Sequence, residues 1–279
     1  MAPEQPQHRA AQGRLLATKL VVPRPRWPPV ERTRLYDLLQ TGTKGPLTLV
    51  AGPPGAGKTV LLASWVAGGR PPGPVAWVTV DPDDQDPARF WGHVLAALRQ
   101  AGACHPDGLL ARLEPSPGVD QRYLASLVNG LDELSEPVVL VLDDLHEAGG
   151  PAMTAGLQFV LRHAPPQLRL VLATRVDPAL PLHRLRVAGR LTEVRAADLA
   201  FLRPEAEELL AGVGIGLEDG ALERLLERTE GWAAGLRLAA LSLGDCADPG
   251  RFVDDFAGDD RAVAGYLFEE VLARQPSQV

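Results

Sequence analysis

The chain has 279 residues, 46% of them hydrophobic and 23% charged, with a net charge of −7 and two cysteines. That suits one or two domains with an ample core, and it excludes a disulfide framework and a nucleic-acid footprint over the chain as a whole. No apolar run approaches the roughly 20 residues of a membrane span, and residues 1–12 lack the apolar centre of a signal peptide, so a soluble, cytoplasmic setting is expected.

Taken in order, residues 1–14 read as disordered. Pro23-Arg24-Pro25-Arg26-Trp27-Pro28-Pro29 cannot be helical and is expected to run extended over a surface. A short helix is expected over 31–39, a buried strand over 46–51 and a helix over 58–67. Between the last two lies Gly52-Pro53-Pro54-Gly55-Ala56-Gly57-Lys58-Thr59, which fits G-x-x-x-x-G-K-[ST].

The chemistry of a phosphate loop explains that spacing. Gly52, Gly55 and Gly57 open torsions that let several N–H groups face one phosphate chain. Lys58 is then placed to reach the β and γ phosphates, and the Thr59 hydroxyl to ligate Mg²⁺. A helix starting at Lys58 adds its positive dipole end. The competing reading is a chance glycine-rich turn. Against it, only Lys19, Lys44 and Lys58 of the 28 basic side chains are lysines, so a lysine here is informative.

Further on, 75–80 reads as a second strand. Asp81 to Asp86 is an acidic turn without the glycine and glutamate of a calcium loop, and is read as a cap. Asp86-Pro87 opens a helix with Phe90, Val94, Ala97 and Leu98 on one face, and Tyr123, Leu127, Leu131 and Leu134 mark another. Cys104-His105 has no second ligand pair, so zinc is not expected. Val138 to Leu142 is a third strand and ends in Asp143-Asp144. A helix striped by Met153, Leu157, Val160 and Leu161 leads to a fourth strand over 168–174, closed by Arg175, and a fifth is expected at 190–194. Alternating strands and helices predict a parallel three-layer α/β domain with its ligand at the carboxyl ends of the strands. From about Phe201 only helical patterns remain, striped by Leu222, Leu225 and Leu226, by Trp232, Leu236, Ala239 and Leu243, and lastly over 263–272. The expected organisation is an N-terminal extension (1–40), a nucleotide-binding domain (41–198) and a small all-α domain (199–279).

An apolar strand ending in two acids suits a second triphosphatase motif, with Asp143 as the Mg²⁺ ligand and Asp144 as the group that orients or deprotonates the attacking water. Two solvated aspartates at a strand end are the plain alternative. Arg175, at the same sheet edge, is placed to stabilise the γ phosphate, or else caps the strand at the surface. Arg184, Arg186 and Arg190 fit a solvated basic face equally well, and His146 reads as a satisfied loop histidine.

These residues resemble a known family. Leu15 to Leu20, Pro23 and Val30-Glu31-Arg32-Thr33-Arg34-Leu35 are similar to the start of MalT-like, large ATP-binding regulators of the LuxR family, within the STAND class of signal-transducing ATPases. Trp77 to Asp86, Leu142-Asp143-Asp144-Leu145-His146, Ala173-Thr174-Arg175, Gly231-Trp232-Ala233-Ala234-Gly235-Leu236 and Tyr266-Leu267 before Glu270-Val271-Leu272 follow in the family's order. The resemblance implies a nucleotide-binding domain and a helical domain that together clasp ATP or ADP. It places Val30, Arg32 and the 231–236 segment, Gly235 included, near adenine and ribose. Arg237 stands where related classes carry a base-contacting proline. The family's winged-helix, inducer-sensing and C-terminal helix-turn-helix parts would follow residue 279, so DNA is expected only through a domain absent from this chain, which is then a piece of a longer protein or the product of a truncated gene.

The leading reading is therefore an ATP-binding, slowly hydrolysing, Mg²⁺-dependent switch whose nucleotide state sets domain packing and self-association. A small-molecule kinase of the phosphate-loop class would need an acceptor pocket and an arginine-bearing lid. A scaffold holding ADP structurally would show tight ADP and negligible turnover.

Overall fold

A computed structural model describes residues 15–25, 28–114, 119–244, 250 and 252–253. The reading of 1–14, the helix expected over 263–272 and the 266–272 part of the resemblance lie outside them.

Five strands form one parallel sheet in the order β2-β3-β4-β1-β5: β1 (Leu47–Ala51), β2 (Val75–Thr79), β3 (Val138–Asp143), β4 (Leu168–Thr174) and β5 (Leu191–Val194). Every neighbouring pair is parallel, so each connection must cross over, and helices fill both faces. α1 (Thr33–Gly42) and α2 (Lys58–Ala67) cover one face. The other carries α3 (Pro87–Gln100), the single turn α4 (Leu109–Arg112), α5 (Gln121–Asp132), α6 (Pro151–Arg162) and α7 (Leu182–Val187).

Side-chain alternation divides the strands between two cores. Val138, Leu140 and Leu142 of β3 join Leu168, Leu170 and Leu172 of β4 beneath α3, α5 and α6. Val139, Val141, Val171 and Ala173 face the opposite way, onto Leu35 and Leu39 of α1 and Leu61 and Leu62 of α2. Burial on both faces explains why β3 reads as an uninterrupted apolar run.

The acidic stretch after β2 is a cap in the expected sense. Asp81 accepts from the Asp83 N–H and Asp84 accepts from the Asp81 N–H, closing a 3₁₀ turn, and Asp86 then caps α3 ahead of Pro87. Asp84 also sits at the centre of a buried ionic network that periodicity does not reveal. Lys19 donates to it at 2.6 Å, and its second oxygen lies 2.9 Å from His93 Nδ1. Burial alone would raise the Asp84 pKa, but His93, Lys19 and the Asp81 N–H hold it at about 2.

The first helix begins at Thr33, two residues later than expected. The Glu31 N–H is engaged by Glu208 and the Arg32 side chain by Glu205, both far along the chain, so this tertiary anchor keeps 31–32 out of the helix. The short turns α4, α7 and α8 (Ala196–Leu199) span four to six residues, too few to show a helical period. α8 tucks Leu199 into the core of the α1/α2 face. Beyond it, α9 (Arg203–Ala211), α10 (Asp219–Thr229) and α11 (Ala233–Leu243) enclose a separate core of Ala206, Leu210, Leu222, Leu225, Leu236 and Ala239.

Candidate functional site

In a parallel sheet the carboxyl ends of the strands share one edge. Ala51 is in register with Thr174, and the Gly52 N–H donates to the Thr174 carbonyl, so the loop after β1 lies alongside Arg175. β3 is the next strand beyond β4 and delivers Asp143 and Asp144 to the same edge. The topology thus gathers residues 52–59, 143–144 and 175.

Within the loop, Gly55 and Gly57 adopt φ of 70° and 83°, the left-handed region that side chains resist, and Gly57 caps α2. The buried Lys58 ammonium donates to the loop carbonyls of Gly52 at 2.8 Å and Pro53 at 3.0 Å. Burial draws its pKa down, with Asp144 opposing, Arg175 adding and Asp143 opposing again. These four side chains therefore share one electrostatic neighbourhood.

Thr59 Oγ1 donates to Asp143 Oδ1 at 3.0 Å. Asp143 is 1% exposed, and its second oxygen, Oδ2, has no hydrogen-bond partner among the described residues. Burial and the adjacent Asp144 push its pKa up to about 7. A buried carboxylate oxygen without a partner, beside a hydroxyl, is a donor set that suits a divalent cation. Among the described residues no cluster of three or more His, Cys, Asp or Glu could hold a metal alone. The pair accordingly fits a cation such as Mg²⁺, whose remaining ligands would come from phosphates and water.

Asp144 is half-buried with φ 54° and ψ 37°, a left-handed conformation costly for a residue with a side chain. That backbone turns the second acid away from the strand direction of the first. Arg175 is half-buried one residue beyond β4. The arginines near it in sequence diverge: Arg186 pairs with Glu193 at 2.7 Å, while Arg184 and Arg190 lie on a different cavity.

A second cavity, of about 310 Å³, adjoins the loop. Gly57, Val60 and Ser64 form one wall, Val30 and Arg32 a second, and Phe201, Ala233 and Arg237 a third. Of the residues that the resemblance sets near a base, Val30 and Arg32 are in this wall and Gly235 is not. Gly235 is buried, and a Cβ there would stand 2.8 Å from the Trp232 ring and 3.4 Å from Thr229, so it serves close packing of α11.

The helical domain touches the loop directly. Trp232 Nε1 donates to the Pro54 carbonyl at 2.9 Å, and the Ala234 N–H donates to Gly55 at 3.0 Å. A second tie runs from the N-terminal arm. Arg32 and Arg34 both donate to the Glu205 carboxylate and to the Ala200 carbonyl, and the Arg32 guanidinium lies 4.2 Å from the centre of the Phe201 ring. Burial would raise the Glu205 pKa, but Arg34, Arg32 and the Leu202 N–H hold it below the usual range. Its partners are about 170 positions upstream, and no local pattern joins them.

Parallel strand order, phosphate-loop geometry and the hydroxyl–carboxylate pair together place the fold among the P-loop NTPases. The chain belongs to the family described as "AAA ATPase domain", whose model matches residues 30–173. It is 34% identical over 246 residues to the serine/threonine-protein kinase PknK of Mycobacterium tuberculosis, covering 87% of this chain and 22% of that one. It is 34% identical over 216 residues to the HTH-type transcriptional regulator MalT of Yersinia enterocolitica, covering 76% of this chain and 24% of that one. The chain thus spans less than a quarter of the length of these relatives. A crystal structure of a signal transduction ATPase with numerous domains and a tetratricopeptide repeat sensor, from Pyrococcus horikoshii, shares the fold. Its TM-score is 0.57 at 18% identity, over 91% of this chain and 34% of that one. Among the described residues no helix is long and apolar enough to cross a membrane.

Proposed function

We propose that this chain is an ATP- and ADP-binding switch module, comparable in role to the corresponding part of a MalT-like LuxR-family regulator. The observation that carries this reading is that Gly57 belongs both to the phosphate loop and to the wall of the 310 Å³ cavity. One ligand with a phosphate tail and an apolar head can fill both. The loop N–H groups and Lys58 bind the phosphates, while the base enters between Val30, Val60 and Phe201.

Thr59 and Asp143 would hold Mg²⁺, which when bound supplies positive charge to the phosphoryl oxygens. Asp144 accepts a proton from the attacking water. As the water oxygen bonds to the γ phosphorus, the bridging P–O bond breaks and its electron pair leaves with ADP. Arg175 offsets the charge that develops on the transferred group. Turnover is slow, and nucleotide acts chiefly by favouring one arrangement of the helical domain on the loop. Self-association in the longer protein would follow that arrangement.

The test is calorimetric titration of the chain with Mg-ATP and Mg-ADP, alongside phosphate release. Saturable binding of one nucleotide per chain with slow release of phosphate supports the switch. Absence of binding to either nucleotide overturns it.

A further inference from the structure

Several arginines among the described residues are neutralised by carboxylates. Arg186 pairs with Glu193, Arg195 with Asp177 and Glu193, and Arg203 with Glu207, Asp219 and Glu223. Three others share one cavity. Arg162 at the end of α6, Arg184 in α7 and Arg190 just before β5 come from three segments and line one cavity of about 280 Å³. None of the three makes an ion pair or side-chain hydrogen bond with a described residue, and no carboxylate is among the cavity's lining residues.

The floor of this cavity is apolar, built by Leu161, Leu185 and Pro181. Its rim is held in shape by the backbone. Gly189 takes φ 63°, and the Arg190 N–H donates to the Leu185 carbonyl at 2.8 Å. The cavity is also remote from the phosphate loop. Arg162 precedes the start of β4 and Arg190 the start of β5, so both lie toward the amino-terminal edge of the sheet, opposite the edge that carries Lys58.

Three arginines on one cavity, with no carboxylate among its lining residues, repel one another and gain most from a shared anion. Guanidinium forks match phosphate oxygens in bidentate geometry. A volume of about 280 Å³ falls just below the usual range for ligand sites and is too small for a nucleotide. We infer that Arg162, Arg184 and Arg190 form a second anion site for a small phosphate monoester, whose organic part rests on Leu161 and Leu185. The site is independent of the nucleotide reading.

The test uses the full chain carrying Lys58→Ala, which removes phosphate binding at the loop, with circular dichroism as the check on folding. Inorganic phosphate and glucose 6-phosphate are the probes, each titrated by calorimetry. The expected result is saturable binding that falls at least tenfold in R162Q/R184Q/R190Q and is unchanged in Arg186→Gln, whose partner is Glu193. The same triple substitution made in wild type must remove the same binding event. Tighter binding of glucose 6-phosphate than of phosphate identifies the organic monoester as the ligand, and equal binding identifies free phosphate. No saturable binding in the parent, equal binding in the triple variant, or an equal loss in Arg186→Gln overturns the site.

Discussion

The indole N–H of Trp232 is hydrogen-bonded at 2.9 Å to the carbonyl of Pro54, in the middle of the phosphate loop. Ala234 repeats the contact one residue on, at Gly55. Since a trans peptide points its C=O and N–H in opposite directions, holding the Pro54 carbonyl toward the helical domain turns the Gly55 N–H away from it. Loop conformation and helical-domain docking are therefore one variable. A ligand with different affinity for the two loop conformations must shift the docking equilibrium.

Trp232→Phe keeps most of the ring and deletes the donor, leaving the Pro54 carbonyl without that partner. The docked state should lose about 1 kcal/mol, a factor of about five. Limited trypsin digestion reports this at Arg195, which opens the connection from the sheet to α9; the Arg203–Pro204 bond resists trypsin. Nucleotide should slow cutting there in wild type, and by less in Trp232→Phe. Equal cutting with and without saturating nucleotide in wild type would separate the helical domain from the site and leave the phosphate loop standing.

Lys58→Ala removes the buried ammonium that reaches the phosphates. Mg-ATP affinity should fall by roughly 3 kcal/mol, on the order of a hundredfold, because a charge-assisted contact is lost and phosphate charge goes uncompensated. Calorimetry checks the number. An unchanged affinity would remove Lys58 from the site.

Asp143, with its pKa raised to about 7, makes the site pH-sensitive. Its folded form keeps a proton that the unfolded chain has already released. This group's contribution to stability is therefore greatest below its ordinary value of 3.8 and declines as pH rises toward 7. A cation competes with that proton, so Mg-ATP should bind more tightly as pH rises from about 6 to about 8. In Asp143→Asn the pH slope should flatten and the Mg²⁺ requirement weaken. Asp144→Asn should instead keep nucleotide affinity and slow single-turnover hydrolysis; a wild-type rate would assign water activation to another group.

Glu205→Gln leaves Arg32 and Arg34 facing a neutral partner in a buried setting. A loss of about 2 to 4 kcal/mol in denaturant unfolding is expected, as for a buried ion pair deprived of one member. Because Glu205 is held below its usual pKa, its contribution is present above the ordinary carboxylate range and is lost as pH falls through the folded value. The wild-type advantage over Glu205→Gln should therefore vanish in acid. A constant difference down to low pH would mean that the charge does not hold the arm.

Local chemistry made much of this protein legible. A glycine loop between a buried strand and a helix, and an apolar strand ending in Asp143-Asp144, define their own surroundings, because torsion, periodicity and charge act over a few residues. The parallel order of the strands follows from the alternation of strand and helix.

What sequence could not supply are the pairings between distant segments. Nothing near Arg32 predicts Glu205, nothing near Pro54 predicts Trp232, and Lys19 gives no sign of a buried bond to Asp84. Three arginines at 184, 186 and 190 look equivalent on paper, yet the fold pairs Arg186 with Glu193 and sets the other two on one cavity with Arg162. Such contacts arise only when helices settle on the sheet. Burial then removes water as the alternative partner, and each polar group must take whichever distant partner the packing brings within reach.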